Sequence, residues 1–207
     1  MRFSVPNMTK EKMVIKSANS LEEVIKYFRF AKKGLKLSPN HPRNSNYYEK
    51  QFAIAPDLLL AAYIGNQLIG VILGGLETSQ VLIGEFYIDP KHQRQGVGSQ
   101  MLRKMEANIL KHGIHRIYLG ANQKAEGFYL KNNYLPKLFI QLSGNGSKER
   151  MNSLIGQYPN YTITWRQNFS DDSKIIFQTK GLDKELQSNI NKAYPEANTI
   201  YLFMKDL

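Results

Sequence analysis

The chain has 207 residues, 42% hydrophobic and 22% charged, which suits one sizeable core or a domain with a smaller appendage. It contains no cysteine, which excludes a disulfide framework, a thiol nucleophile and a cysteine metal site, and no apolar run approaches the roughly 20 residues that span a bilayer. The net charge is +11, and residues 1–50 hold eleven basic and four acidic side chains; this reads as a solvated, lysine-rich surface that also favours an anionic ligand, rather than as a nucleic-acid interface.

The stretch Met1 to Pro6 lacks the apolar run and small-residue cleavage site of a secretory signal, so the cytoplasm is the expected compartment. Met13 to Lys16 reads as a short strand. Ser20 then caps a helix with Glu22 and Glu23 in its first turn, an apolar face of Leu21, Val24, Ile25, Phe28 and Ala31, and Gly34 as its stop. Gly34 to Asn46 is loop-like, broken by Pro39 and Pro42, and Tyr47 to Ile54 forms a second helix. A hairpin follows, Leu58–Ile64 and Leu68–Leu73 about Gly65-Asn66, with Gly74 and Gly75 loosening its end.

A third strand covers Val81 to Ile88, and a helix runs from about Gly96 to His112 with Val97, Met101, Met105 and Ile109 on one face. Ile114–Leu119 is a strand, Lys124–Asn132 a short helix and Lys137–Leu142 a strand. Ser143 to Ser147 reads as a flexible connector. Beyond it come a half-buried strand at Tyr161, Ile163 and Trp165, a strand at Ile175–Phe177, a helical stripe of Leu182, Leu186 and Ile190, and a last strand at Ile200–Met204. The pattern is α/β (α+β): a mixed central sheet flanked by helices, with an added C-terminal strand–strand–helix–strand unit.

Chemistry concentrates in Glu85-Phe86-Tyr87-Ile88-Asp89-Pro90-Lys91-His92-Gln93-Arg94-Gln95-Gly96-Val97-Gly98-Ser99. A strand enters a proline turn and a polar loop, and two glycines open an amphipathic helix. Glycines there let backbone amides converge on one spot at the positive end of the helix dipole, where a pyrophosphate fits. The Gly-Lys-Ser/Thr of a P-loop is missing, and Met101 stands where a dinucleotide fingerprint needs glycine.

Gln93-Arg94-Gln95-Gly96-Val97-Gly98 resembles the Q/R-x-x-G-x-G/A acetyl-CoA motif of the GNAT N-acetyltransferase superfamily, and the resemblance covers roughly Met13 to Leu142. It implies a GNAT catalytic domain over residues 1–142. Residues 143–207 are then either a separate subdomain or an insertion whose last strand, 200–207, completes the sheet. It implies acetyl-CoA as co-substrate, no metal, and direct transfer of acetyl to a primary amine of a small molecule or protein. By the same resemblance the backbone of Phe86, Tyr87 and Ile88 pairs with the pantetheine arm, and Gln93, Arg94, Gln95, Gly96, Val97, Gly98 and Ser99 form the diphosphate loop. Asn122-Gln123-Lys124-Ala125-Glu126-Gly127-Phe128-Tyr129 is similar to a family segment in which the asparagine contacts the cofactor and the final tyrosine lies near the thioester sulfur. This makes Asn122 a cofactor contact or a plain helix cap, and Tyr129 a cofactor-side acid or a packed aromatic.

Glu85 stands where many members carry an acid on the central strand. It is a base acting through water, a binder of the cationic amine, or a structural residue, and alternation puts it on the face of Tyr87. His92 reads as a solvated loop residue, and no histidine spacing suggests a metal. Substrate choice is expected in the loop Gly34–Asn46, in Tyr47 and Tyr48, and in Trp165. Two other readings stay open: a GNAT-fold module that binds acyl-CoA without turnover, and an RNA-associated acetyltransferase. Neither a membrane nor nucleic acid is the expected partner, and the sheet-forming tail offers a surface for a homodimer.

Overall fold

In the computed structural model, residues 11–207 are described; Met1 to Pro6, Arg2 and Lys10 of the basic run among the residues read above, lie outside them. The chain divides into two compact units after His115.

In the first unit, Ser20 starts α1 (Leu21–Leu35) by accepting from the Glu23 amide, while the Glu23 carboxylate accepts from the Asn19 amide at 2.8 Å. The buried face is Val24, Tyr27, Phe28 and Ala31, so Tyr27 takes the place expected for Leu21, which is largely exposed. Gly34 does not stop the helix. Lys36, in left-handed conformation, ends it, and Gly34 lies under the Tyr87 ring, where any side chain would collide. Asn44 caps α2 (Ser45–Ile54).

Strands β1 (Met13–Ser17), β2 (Leu59–Ile64), β3 (Gln67–Leu76) and β4 (Val81–Ile88) pair antiparallel in that order. Gly74 and Gly75 sit within β3 rather than past it. They make room on opposite faces, Gly74 for Met105 of α3 (Val97–Lys111) and Gly75 for the Tyr47 hydroxyl. Helices α1 and α2 bury one core with Tyr48, Leu59, Val71 and Leu73, and α3 covers the other face through Met101 and Met105. At roughly 25 cal/mol per Å², such aliphatic and aromatic burial supplies the main favourable term in folding.

The second unit comprises β5 (Arg116–Ala121), α4 (Gln123–Lys131), β6 (Leu135–Ser143), α5 (Ser147–Gln157), β7 (Ile163–Asn168), β8 (Asp172–Gln178), α6 (Lys184–Ala193) and β9 (Asn198–Asp206). Its sheet order is β5-β9-β6-β8-β7, antiparallel throughout, with the last strand between β5 and β6. The expected connector is corrected: Ser143 ends β6, and Ser147 opens α5, a helix the sequence reading lacked, which buries Met151 and Leu154. Strand β7 is an exposed edge rather than half-buried, with Trp165 at 41% exposure. No helix among the described residues is long and apolar enough to cross a membrane.

Candidate active site

Strand β4 carries the acidic residue and leads into the glycine loop. Its pairing with β3 slips: Leu73 faces Glu85 and Gly74 faces Ile83, which leaves Gly84 as an extra residue. Glu85 and Tyr87 both face the α1–α2 side, where Tyr87 joins the aromatic core and Glu85 meets the α1–α2 loop.

Glu85 is only 1% exposed. Its Oε1 lies 2.6 Å from His41 Nε2 and accepts from Arg43 Nε at 3.3 Å. Its Oε2 is buried with no partner. Loss of water around the carboxylate raises its pKa above the ordinary 4.5, against the opposing pull of Arg43 and His41. Sequence reasoning had placed these two residues only within a broad substrate loop. The one available signal was a histidine and an arginine around Pro42, just before a helix-capping asparagine.

The expected acceptor aromatics divide. Tyr48 is fully buried against Phe28 at 5.7 Å, with its hydroxyl unpartnered, and is a core residue. Tyr47 is half-buried, edge-on to Tyr48 at 5.0 Å. Trp165 lies on the exposed edge strand of the second unit.

After β4, Asp89 accepts from the Lys91 amide and a short 3-10 turn covers Pro90–His92. His92 is less solvated than expected, its Nδ1 buried and 3.7 Å from Asp89. The side chains of Gln93 and Gln95 brace the loop from within, donating to the carbonyls of Ile88 at 2.9 Å and Lys91 at 2.8 Å. Arg94 is exposed, with φ 60°, and Gly96 has φ 80°. Left-handed backbone is natural to glycine and costs other residues about 1–2 kcal/mol. Gly96 is the N-cap of α3 and no side chain caps the helix. The first helical bond runs from the Gln100 amide to the Gly96 carbonyl at 3.1 Å, so the amides of Val97, Gly98 and Ser99 stand outside the ladder. By contrast, α1, α2, α4 and α6 are each capped by a serine, asparagine or aspartate side chain; α5 also starts at a left-handed glycine, Gly146, without a side-chain cap, but carries Glu149 in its first turn, where α3 has no acidic residue.

In the second unit Asn122 caps α4, accepting from the Ala125 amide at 3.1 Å. Tyr129 is 6% exposed, its ring 5.1 Å from Phe128, 5.8 Å from Tyr134 and 5.4 Å from Phe203. Burial pushes its phenol pKa well above 10, so it stays protonated at neutral pH.

The first unit thus defines an α/β protein whose strand carries a buried carboxylate and then opens into a helix start suited to an anion. The chain belongs to the acetyltransferase (GNAT) family, whose model matches residues 22–134. No curated protein matches it. Among solved structures it is similar to an acetyltransferase of the GNAT family from Staphylococcus aureus Mu50, with TM-score 0.51, 19% identity, and coverage of 60% of this chain and 85% of that one. It is also similar to the ribosomal-protein-S18-alanine N-acetyltransferase from Escherichia coli, with TM-score 0.50, 13% identity, and coverage of 83% and 98%. An acetyltransferase-like protein from Pyrococcus horikoshii has TM-score 0.47 and 20% identity over 70% of this chain, and the match spans only 52% of that protein. At these identities the likeness to the Staphylococcus aureus and Escherichia coli proteins is one of fold.

Proposed function

We propose that the protein is an N-acetyltransferase that carries an acetyl group from acetyl-CoA directly to a primary amine, and that it acts in the cytoplasm, where a chain without cysteine loses nothing to reducing conditions. The observation that carries this reading is the uncapped start of α3, with Gly96 left-handed at its mouth. A diphosphate suits it: the nearest side-chain atom to a Cβ built at Gly96 is 4.0 Å away, and the free amides lie at the positive end of the helix dipole. The amides of Gln95 to Ser99 would hold the diphosphate, with Arg94 adding charge. The backbone of Phe86 to Ile88 would hold the pantetheine arm, with Asn122 and Tyr129 as further contacts. Acetyl-CoA supplies an activated acyl thioester.

This chain supplies the proton chemistry. Alkyl ammonium groups have pKa values near ~10 and are unreactive until deprotonated. Glu85, its carboxylate held on Oε1 by His41 and Arg43, has Oε2 free to draw the amine's proton, directly or through water. Tyr129, kept protonated by burial, can hydrogen-bond the sulfur of a departing thiolate as charge develops there, while the thiolate takes its proton from solvent. Two measurements test the reading: calorimetry with coenzyme A, and thiol release from acetyl-CoA across an amine panel. Binding and turnover are expected. Absence of binding overturns the reading, and binding without turnover on any amine makes the protein a carrier-binding module.

A further inference from the structure

Two buried oxygens and one guanidinium, each with hydrogen-bonding capacity unused among the described residues, lie about Gly84 and Glu85 of β4. Glu85 Oε2 and the Tyr48 hydroxyl are both buried and unsatisfied. Arg43 donates Nε to Glu85, and neither of its terminal nitrogens hydrogen-bonds to a described residue. The Tyr48 hydroxyl and Arg43 Nε meet over Gly84, where a Cβ would strike the hydroxyl and come within 2.6 Å of Nε, and the same Nε lies 3.3 Å from Glu85 Oε1. The missing side chain lets the guanidinium lie against the strand. A buried polar group left unpaired costs about 1–3 kcal/mol, so two of them beside an open guanidinium form an expensive arrangement that a ligand would relieve.

Taking the acetyl-transfer reading as its basis, we infer that this cluster anchors the acceptor, and that the acceptor is an amine bearing an anionic oxygen group, carboxylate or phosphate, close to the nitrogen to be acetylated. The guanidinium carries the argument: Arg43 meets Glu85 through Nε, and its two terminal nitrogens are left for an anion. An acceptor with one ammonium and one anionic group suits this pair: Glu85 takes the ammonium and Arg43 the anion. Because His41 and Arg43 both hold Oε1, the same loop that offers the guanidinium leaves Oε2 for the amine. A guanidinium fork that is stiffly mounted loses little freedom on pairing with a carboxylate or phosphate.

The test uses matched acceptors that differ only in the anion: alanine against ethylamine for carboxylate, and phosphoethanolamine against ethanolamine for phosphate. Thiol release is measured for wild type, Arg43→Gln and Arg43→Lys. In wild type the anionic member of at least one pair is expected to show a KM lower by about ten- to a hundredfold, the size of a charge-assisted hydrogen-bond pair. That ratio should collapse towards one in Arg43→Gln and shrink partly in Arg43→Lys, which keeps the charge without the fork. Equal KM values within both pairs, or an unchanged ratio in Arg43→Gln, overturns the inference while leaving acetyl transfer intact. Calorimetry of the same amines without coenzyme A separates the two claims: Arg43-dependent binding of an anionic amine with no turnover on any acceptor retains the anchoring site and removes the transferase. Should Arg43→Gln fail to fold, the wild-type ratios and Arg43→Lys still decide.

Discussion

His41 holds Glu85 by a single oxygen. Its Nε2 lies 2.6 Å from Oε1, and the other carboxylate oxygen is left buried and bare. Replacing Glu85 by glutamine keeps the shape and removes the base, and kcat is expected to fall by about a hundredfold or more. The sign of the stability effect follows from the raised pKa. Between the ordinary 4.5 and the higher folded value, the native state binds more protons than the unfolded chain, so ionisation costs native stability as pH rises through that window. Thermal melts of wild type and Glu85→Gln across pH should show wild type losing ground to the variant from about pH 4.5 upward. A gap that widens the other way would mean that the partners of Glu85 outweigh its burial.

Gly96→Val places a β-branched side chain at φ 80°. The expected loss is about 1–2 kcal/mol in denaturant unfolding. Coenzyme A affinity by calorimetry should fall at least about tenfold as the amides behind it shift. A stable variant with unaltered affinity would detach the loop from cofactor binding.

Tyr129→Phe removes one oxygen and leaves the ring among Phe128, Tyr134 and Phe203. Stability should change by less than about 1 kcal/mol, and kcat should drop about a hundredfold under saturating acceptor. Because burial raises this phenol, the wild-type rate should show no alkaline loss from it up to pH 10. Unchanged kcat in Tyr129→Phe would return the residue to packing alone.

Gly84→Ala inserts a methyl where Tyr48 and Arg43 already sit. Overpacking of this kind costs about 1–3 kcal/mol, readable as a lower denaturant midpoint at constant slope. The KM difference between anionic and neutral acceptors should narrow in the same variant.

Strand β4 was legible to the residue, Val81 to Ile88, because an apolar run bounded by Gln80 and Asp89-Pro90 allows little else. The glycine-opened helix was equally plain, since turn chemistry and a period of 3.6 agree there. The partners of Glu85 were not readable, because His41 and Arg43 reach it across 44 and 42 residues of chain and no local pattern records such a meeting. Gly34 misled for a physical reason: a glycine late in a helix signals a stop, whereas here it makes way for a ring from β4. Helix α5 escaped because its stripe is thin, Met151 and Leu154, behind a run of small polar residues that mimics a linker.

The placing of β9 has a consequence for how this molecule can change. Gln141 near the end of β6 faces Asn198 at the start of β9, and the Asn198 amide reaches the Gln141 oxygen at 3.4 Å. Everything from 144 to 197 therefore departs and returns through one doorway. A detour whose two ends are neighbours can lengthen, shorten or be exchanged across generations without re-registering β6 or β9, although its removal would turn β6 into a bare margin of the sheet.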